Sequence, residues 1–228
     1  METAFQPAKR QQESLLAPLE KRCLIWLAQH APSWLNSDHL TVMGLVALFG
    51  AGLSYWWARS APAALCLGIV CLALNWLGDS LDGTLARVRN RQRPRYGFYV
   101  DHVVDAFGSL FLLGGLALSG FMSERVALGL LIAYLMLSIE VYLATYTIGT
   151  FHISFWKFSP TELRILLALG NVALLRNPEP HVFGTAYRVF DLGGVIGIVG
   201  MGAMLLAAVA RHTYSLYQAE RLPVTKRP

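Results

Sequence analysis

Long apolar stretches broken by short polar gaps set the reading of this chain. Six of them, at about 39–58, 62–85, 98–120, 125–148, 160–176 and 192–211, predict helices that cross a hydrocarbon layer ~30 Å thick, the fifth being the shortest. Turn signals separate them: Ser60-Ala-Pro62, the Arg-rich stretch to Pro94, Ser119-Gly120, Gly149 to Pro160, and Arg176-Asn-Pro-Glu-Pro180. Ahead of them, residues 13–31 place Leu15, Leu16, Leu19, Cys23, Trp26 and Leu27 at helical spacing, with Glu13, Glu20, Lys21, Arg22 and Gln29 elsewhere around the helix. That pattern predicts an amphipathic helix at the membrane surface, the alternative being a helix packed on the rest of the protein. The expected fold is an all-α integral membrane protein: an N-terminal interfacial segment (1–35), a six-helix membrane domain (36–212) and a C-terminal tail (213–228).

Composition agrees with one membrane domain: 228 residues, 55% of them hydrophobic. The N-terminal stretch is too long and polar for the n-region of a signal peptide. The net charge of +5 follows membrane side, which argues against a nucleic-acid interface. With the N-terminus inside, four Lys or Arg precede the first span, five lie between the second and third, Lys157 and Arg164 flank the fourth connection, and four follow from Arg211. Only Arg59, Arg125, Arg176 and Arg188 fall outside, so both termini are expected in the cytoplasm. Tyr55, Trp56 and Trp57 fit an outer aromatic belt, and Gly114-Gly115 and Gly193-Gly194 read as close helix-packing sites. Cys23, Cys66 and Cys71 have no ligand spacing and read as inert thiols.

Against this background, four aspartates need a positive partner, because a charge at bilayer depth costs ~2.5 to 3.5 kcal/mol on insertion scales. Asp79 and Asp82 are three apart, and Asp101 and Asp105 four apart, so each pair projects from one helix face. Two such faces turned together make a hard, all-oxygen ligand set for Mg²⁺ or Mn²⁺, with charge enough for two ions. The expected cytoplasmic ends of the second and third spans put them near that surface. Gly83 leaves the backbone open to a ligand, Ala86 keeps the same face low, and Arg87, one turn on, can grip a phosphate. Gly97, four residues before Asp101, lets a helix or a ligand come close. Acids, gap and guanidinium together describe a metal-bound diphosphate.

The full pattern, Asp79-x2-Asp82-Gly83-x2-Ala86-Arg87-x9-Gly97-x3-Asp101-x3-Asp105, resembles the signature of the CDP-alcohol phosphotransferases, with every signature residue present. The resemblance implies a six-helix enzyme of phospholipid synthesis, acting as a homodimer. It would cleave a CDP-linked donor, transfer a phosphoryl-bearing group to an alcohol, and release CMP. It also implies that Asp79, Asp82, Asp101 and Asp105 hold two divalent cations, that Gly83 and Arg87 contact the diphosphate, and that Asp105 is the usual base. The donor is either CDP-diacylglycerol, with a water-soluble alcohol as acceptor, or CDP-choline or CDP-ethanolamine, with diacylglycerol as acceptor. The small single domain suits a bacterial inner-membrane enzyme of either kind.

Other residues refine the resemblance. His102, inside Asp101-His102-x2-Asp105, is similar to the choline and ethanolamine phosphotransferase branch, where a histidine here is a proposed base; a pKa near ~6.5 suits that work. One position from Asp101, it points about 100° away, which leaves a structural role open. Thr161-Glu162 resembles an element of the same branch, making Glu162 a head-group candidate, or the pair simply complements a helix N-terminus. Asn36 to Thr41 resembles the family's Pro-Asp/Asn-x2-Thr element, with Ser37 in place of proline, so Asp38 and Thr41 are expected to border the nucleotide. Asn75, one turn before Asp79, is a polar neighbour for nucleotide or metal, or a helix-to-helix hydrogen bond. Pro94 stands where many relatives carry Ser or Thr; around it, Arg89, Arg91, Arg93 and Arg95 suit either an anionic substrate or anionic lipid. The competing class is a cation transporter or channel lined by the aspartates, against which Gly83, Ala86 and Arg87 argue.

Overall fold

A computed structural model describes residues 17–148, 160–176, 181–182, 185–186 and 188–220. The helices are α1 (Ala17–His30), α2 (Ser37–Trp57), α3 (Ala64–Val88), α4 (Pro94–Ser119), α5 (Glu124–Ile148), α6 (Pro160–Arg176) and α7 (Val189–Ala219). Between α6 and α7 lies a two-residue antiparallel ribbon, β1 (His181–Val182) with β2 (Thr185–Ala186). Among the described residues, five helices, α2, α3, α4, α5 and α7, are long and apolar enough to cross a membrane. The fifth expected span, α6, has 17 residues. At 1.5 Å per residue it falls short of a ~30 Å hydrocarbon core.

Local chemistry sets the helix ends. Asn36 begins α2 with a capping box: the His39 N–H donates to Asn36 Oδ1 at 2.9 Å, and the Asn36 N–H returns to His39 Nδ1 at 3.4 Å. Pro94 opens α4 instead of only ending the loop, because a first-turn proline needs no N–H partner. Gly120, at φ 81°, closes that helix in the left-handed conformation. Past its expected end at 211, α7 runs on to Ala219, since neither Gly nor Pro occurs between Gly202 and Pro223.

α2, α3 and α4 form the centre, and glycines let them touch. A Cβ at Gly78 would stand 2.6 Å from the Leu40 carbonyl oxygen, and one at Gly115 would stand 2.2 Å from that of Gly52. These contacts bring α3 and α4 onto α2 with no side chain between them. Of the two Gly-Gly pairs, Gly115 and Gly194 pack on neighbouring helices, while Gly114 and Gly193 have none nearby. Beyond the centre, α5 joins α4 to α7, and α6 lies on α3. Its Arg164, Leu167, Asn171 and Leu174 recur every three or four residues and make the inward stripe.

α1 also packs on α3, burying Leu24 and Ala28 against Leu40, Leu81 and Leu85. Its Glu20 is a point of attachment. One carboxylate oxygen accepts from Trp76 Nε1 (2.8 Å) and Ser80 Oγ (3.2 Å) on α3, and from Thr161 Oγ1 (3.1 Å) on α6.

Candidate active site

Asp79 and Asp82 come from the last turns of α3, and Asp101 and Asp105 from the early turns of α4. All four line one small pocket, together with Thr41, Gly44, Asn75 and Val104. The Gly44–Gly78 contact is what admits α2 to this place, and α2 uses it to hold the acids. Thr41 Oγ1 donates to Asp82 Oδ2 at 2.8 Å, Ser37 Oγ donates to the Asp82 carbonyl at 2.8 Å, and Asp82 itself is buried. Asn75 Nδ2 donates to the Gly44 carbonyl at 3.0 Å. Its other end accepts from Arg164 Nε at 2.7 Å, and Arg164 Nη2 goes on to Asp79 Oδ2 at 2.7 Å.

Arg164 thus joins the site from α6. In the sequence it counted only as an inside charge; its position three residues after Thr161 was the available signal. Thr161 is taken up by Glu20. Glu162 stands in the first turn of α6, and its side chain lies outside the described residues, as does Lys157.

Gly83 sits where an added Cβ would meet only the Arg87 guanidinium, at 3.4 Å, and Arg87 Nη2 donates to Thr84 Oγ1 at 3.0 Å. Among the described residues, a Cβ at Gly97 would meet nothing within 4 Å, so no neighbouring helix requires a glycine there. His102 is not among the pocket-lining residues. It donates from Nδ1 to the Phe98 carbonyl and packs against the Phe98 and Tyr142 rings, with centroids 4.1 and 4.7 Å away.

Asp38 lines a neighbouring cavity of about 380 Å³, with Asn36, Ser37, Ala86, Arg91 and Arg93. There Arg93 pairs with Asp38 and lies over the Tyr96 ring, 4.1 Å from its centroid. Arg89 is spent on structure: its Nη2 donates to the carbonyls of Ala31 (2.8 Å) and Pro32 (2.9 Å), and its Nη1 to that of Leu35, holding the α1–α2 turn.

Among the described residues, no three acid, imidazole or thiol groups stand together closely enough to hold a metal ion in this arrangement. In this arrangement Asp79 Oδ2 accepts from Arg164 and Asp82 Oδ2 from Thr41. The donor chemistry fits a hard divalent cation all the same, since carboxylates of both helices open onto one pocket without competing thiols.

Fold and site define a membrane-embedded helical protein whose acid-lined pocket adjoins an arginine-bearing cavity. A family model described as CDP-alcohol phosphatidyltransferase matches residues 34–210, from just before α2 to well into α7, and the chain belongs to that family. Its members transfer phospholipid head groups between a CDP-alcohol donor and an alcohol acceptor in the membrane, so this chain is a transferase of substituted phosphate groups. No curated protein matches the chain.

Proposed function

We propose that the protein is a divalent-metal-dependent transferase that moves a phosphatidyl or phospho-head group from a CDP-linked donor to an alcohol, with release of CMP. The observation that carries this reading is the meeting of Asp79, Asp82, Asp101 and Asp105 in one pocket, beside the cavity bordered by Asp38 and Ala86. The four aspartates would hold two ions, Mg²⁺ or Mn²⁺, which supply charge neutralisation for the diphosphate and the departing CMP. Arg87 grips the diphosphate across the gap left by Gly83, and Asp38 and Thr41 border the nucleotide. Asn75 contributes by fixing α2 against α3.

The acceptor hydroxyl forms a new P–O bond as the donor's diphosphate P–O bond breaks, its electron pair leaving with CMP. Asp105, in the pocket, takes the hydroxyl proton. His102, held by Phe98 and Tyr142, supports the start of α4. Glu162 belongs to the acceptor end of the site in this scheme. The Lys and Arg asymmetry supports a site open to the cytoplasm, in a bacterial inner membrane, and a homodimer is part of the same proposal.

The test incubates the purified protein with CDP-diacylglycerol, CDP-choline or CDP-ethanolamine against a panel of alcohols, with and without Mg²⁺ or Mn²⁺. The expected result is one lipid product and stoichiometric CMP, both dependent on metal. Cation flux through reconstituted protein, with no turnover of any CDP donor, would overturn the proposal in favour of a channel.

A further inference from the structure

Arg164 reaches the acid pocket from α6, a helix outside the aspartate motif. Its side chain is 15% exposed, and its two bonds span Asn75 and Asp79, one turn apart on α3. Asn75 is 4% exposed and tied to Gly44, so the guanidinium is aimed by a fixed partner and does not sample the surface. Four carboxylates in one pocket repel one another. Arg164 offsets part of that repulsion at Asp79, whose side chain is 40% exposed. It also commits Asp79 Oδ2, in an arrangement where the acids do not converge on a metal position.

We infer that Arg164 is the resident counter-ion of the acid pocket and the positioning residue for Asp79, so that a divalent cation must compete with its guanidinium for that carboxylate. A diphosphate arriving with the metal gives the displaced guanidinium a new anion. Metal and nucleotide therefore bind cooperatively, and by linkage each tightens the other equally. The inference rests on the metal-dependent reading above.

Mn²⁺ binding to the purified full chain, followed by the electron paramagnetic resonance signal of free Mn²⁺ with and without CDP, tests it. Without CDP, Arg164→Gln should bind Mn²⁺ about tenfold tighter than the wild type, and CDP should tighten binding less in the variant than in the wild type. In an Asp79→Asn background, Arg164→Gln should give a clearly smaller gain, because the competed-for carboxylate is gone and only the loss of charge remains. Unchanged or weaker Mn²⁺ affinity in a folded Arg164→Gln protein overturns the inference, as does the same tenfold gain in the Asp79→Asn background. If Arg164→Gln does not fold, Arg164→Lys decides, since lysine keeps the charge but cannot fork between Asn75 and Asp79. A gain of about two- to threefold then supports the inference, and no gain overturns it. A wild type that binds no Mn²⁺ fails the metal-dependent reading and this inference with it, whereas equal binding by wild type and variant fails the inference alone.

Discussion

The α2–α3–α4 centre and the α5–α7 pair solve the same problem, crossing a membrane, in different ways. In α2 and α3, 39% and 44% of the apolar span is buried inside the protein; in α5 and α7 the shares are 11% and 6%. Glycine contacts at Gly78 and Gly115 bring the central backbones together, while Gly193, Gly200 and Gly202 of α7 meet nothing. α5 and α7 do meet closely at Gly194 against Val126, Gly197 against Leu130 and Gly129 against Ile198, but through side chains rather than backbone, and polar links join them: His212 Nδ1 to Glu140 Oε1 at 2.6 Å, and the Ser123 N–H to Asp191 Oδ1 at 2.6 Å. In lipid, exposed Leu and Val lose nothing, so a helix there need not be packed to be stable. Backbone-to-backbone contact and the deepest burial fall in the region that holds the carboxylates, while α5 and α7 meet through side chains.

The contrast can be broken most sharply at the acids. Asp82→Asn and Asp105→Asn should each lower transfer by at least ~100-fold while leaving the melting temperature near that of the wild type. Near-normal turnover in either would detach the packed centre from the chemistry. Next in size is a pair of glycines. Gly115→Leu should prevent accumulation of folded protein, because the new side chain meets the Gly52 backbone, whereas Gly200→Leu should express and turn over normally. Equal outcomes in a size-exclusion and activity comparison would erase the distinction between the two regions. His102→Gln should retain activity within about tenfold, since this ring stands outside the pocket; a loss matching that of Asp105→Asn would transfer the base assignment to it. The smallest effect is expected at Gly97→Ala: unchanged stability, with a donor KM raised about threefold if a ligand uses the open space there.

Much of this was readable from the chain. The spans at 125–148 and 160–176 lie within a residue of α5 and α6, because apolar runs ended by Gly and Pro leave few alternatives. The four aspartates were legible as one site because helical spacing fixes which face each occupies. What escaped was tertiary. No periodicity says that α6 lies on α3, so Arg164 looked like any inside arginine and its bond to Asp79 had no local signature. Arg89 was grouped with its neighbours as an anion-binding candidate, yet three carbonyls of the α1–α2 turn occupy it, a contact across more than fifty residues. Likewise, which glycine of a pair is the packing one depends on which helix stands opposite.

Glu20 carries a consequence of its own. One oxygen atom on α1, the helix expected from the sequence to lie at the lipid surface, accepts from a tryptophan and a serine of α3 and a threonine of α6. Through that atom α1, packed on α3, is tied to Ser80, the residue next to Asp79, and to the turn of α6 that bears Arg164. Three helices are thus pinned at a single oxygen beside the acid pocket, so a change at Glu20 reaches the carrier of Asp79 and the carrier of Arg164 together.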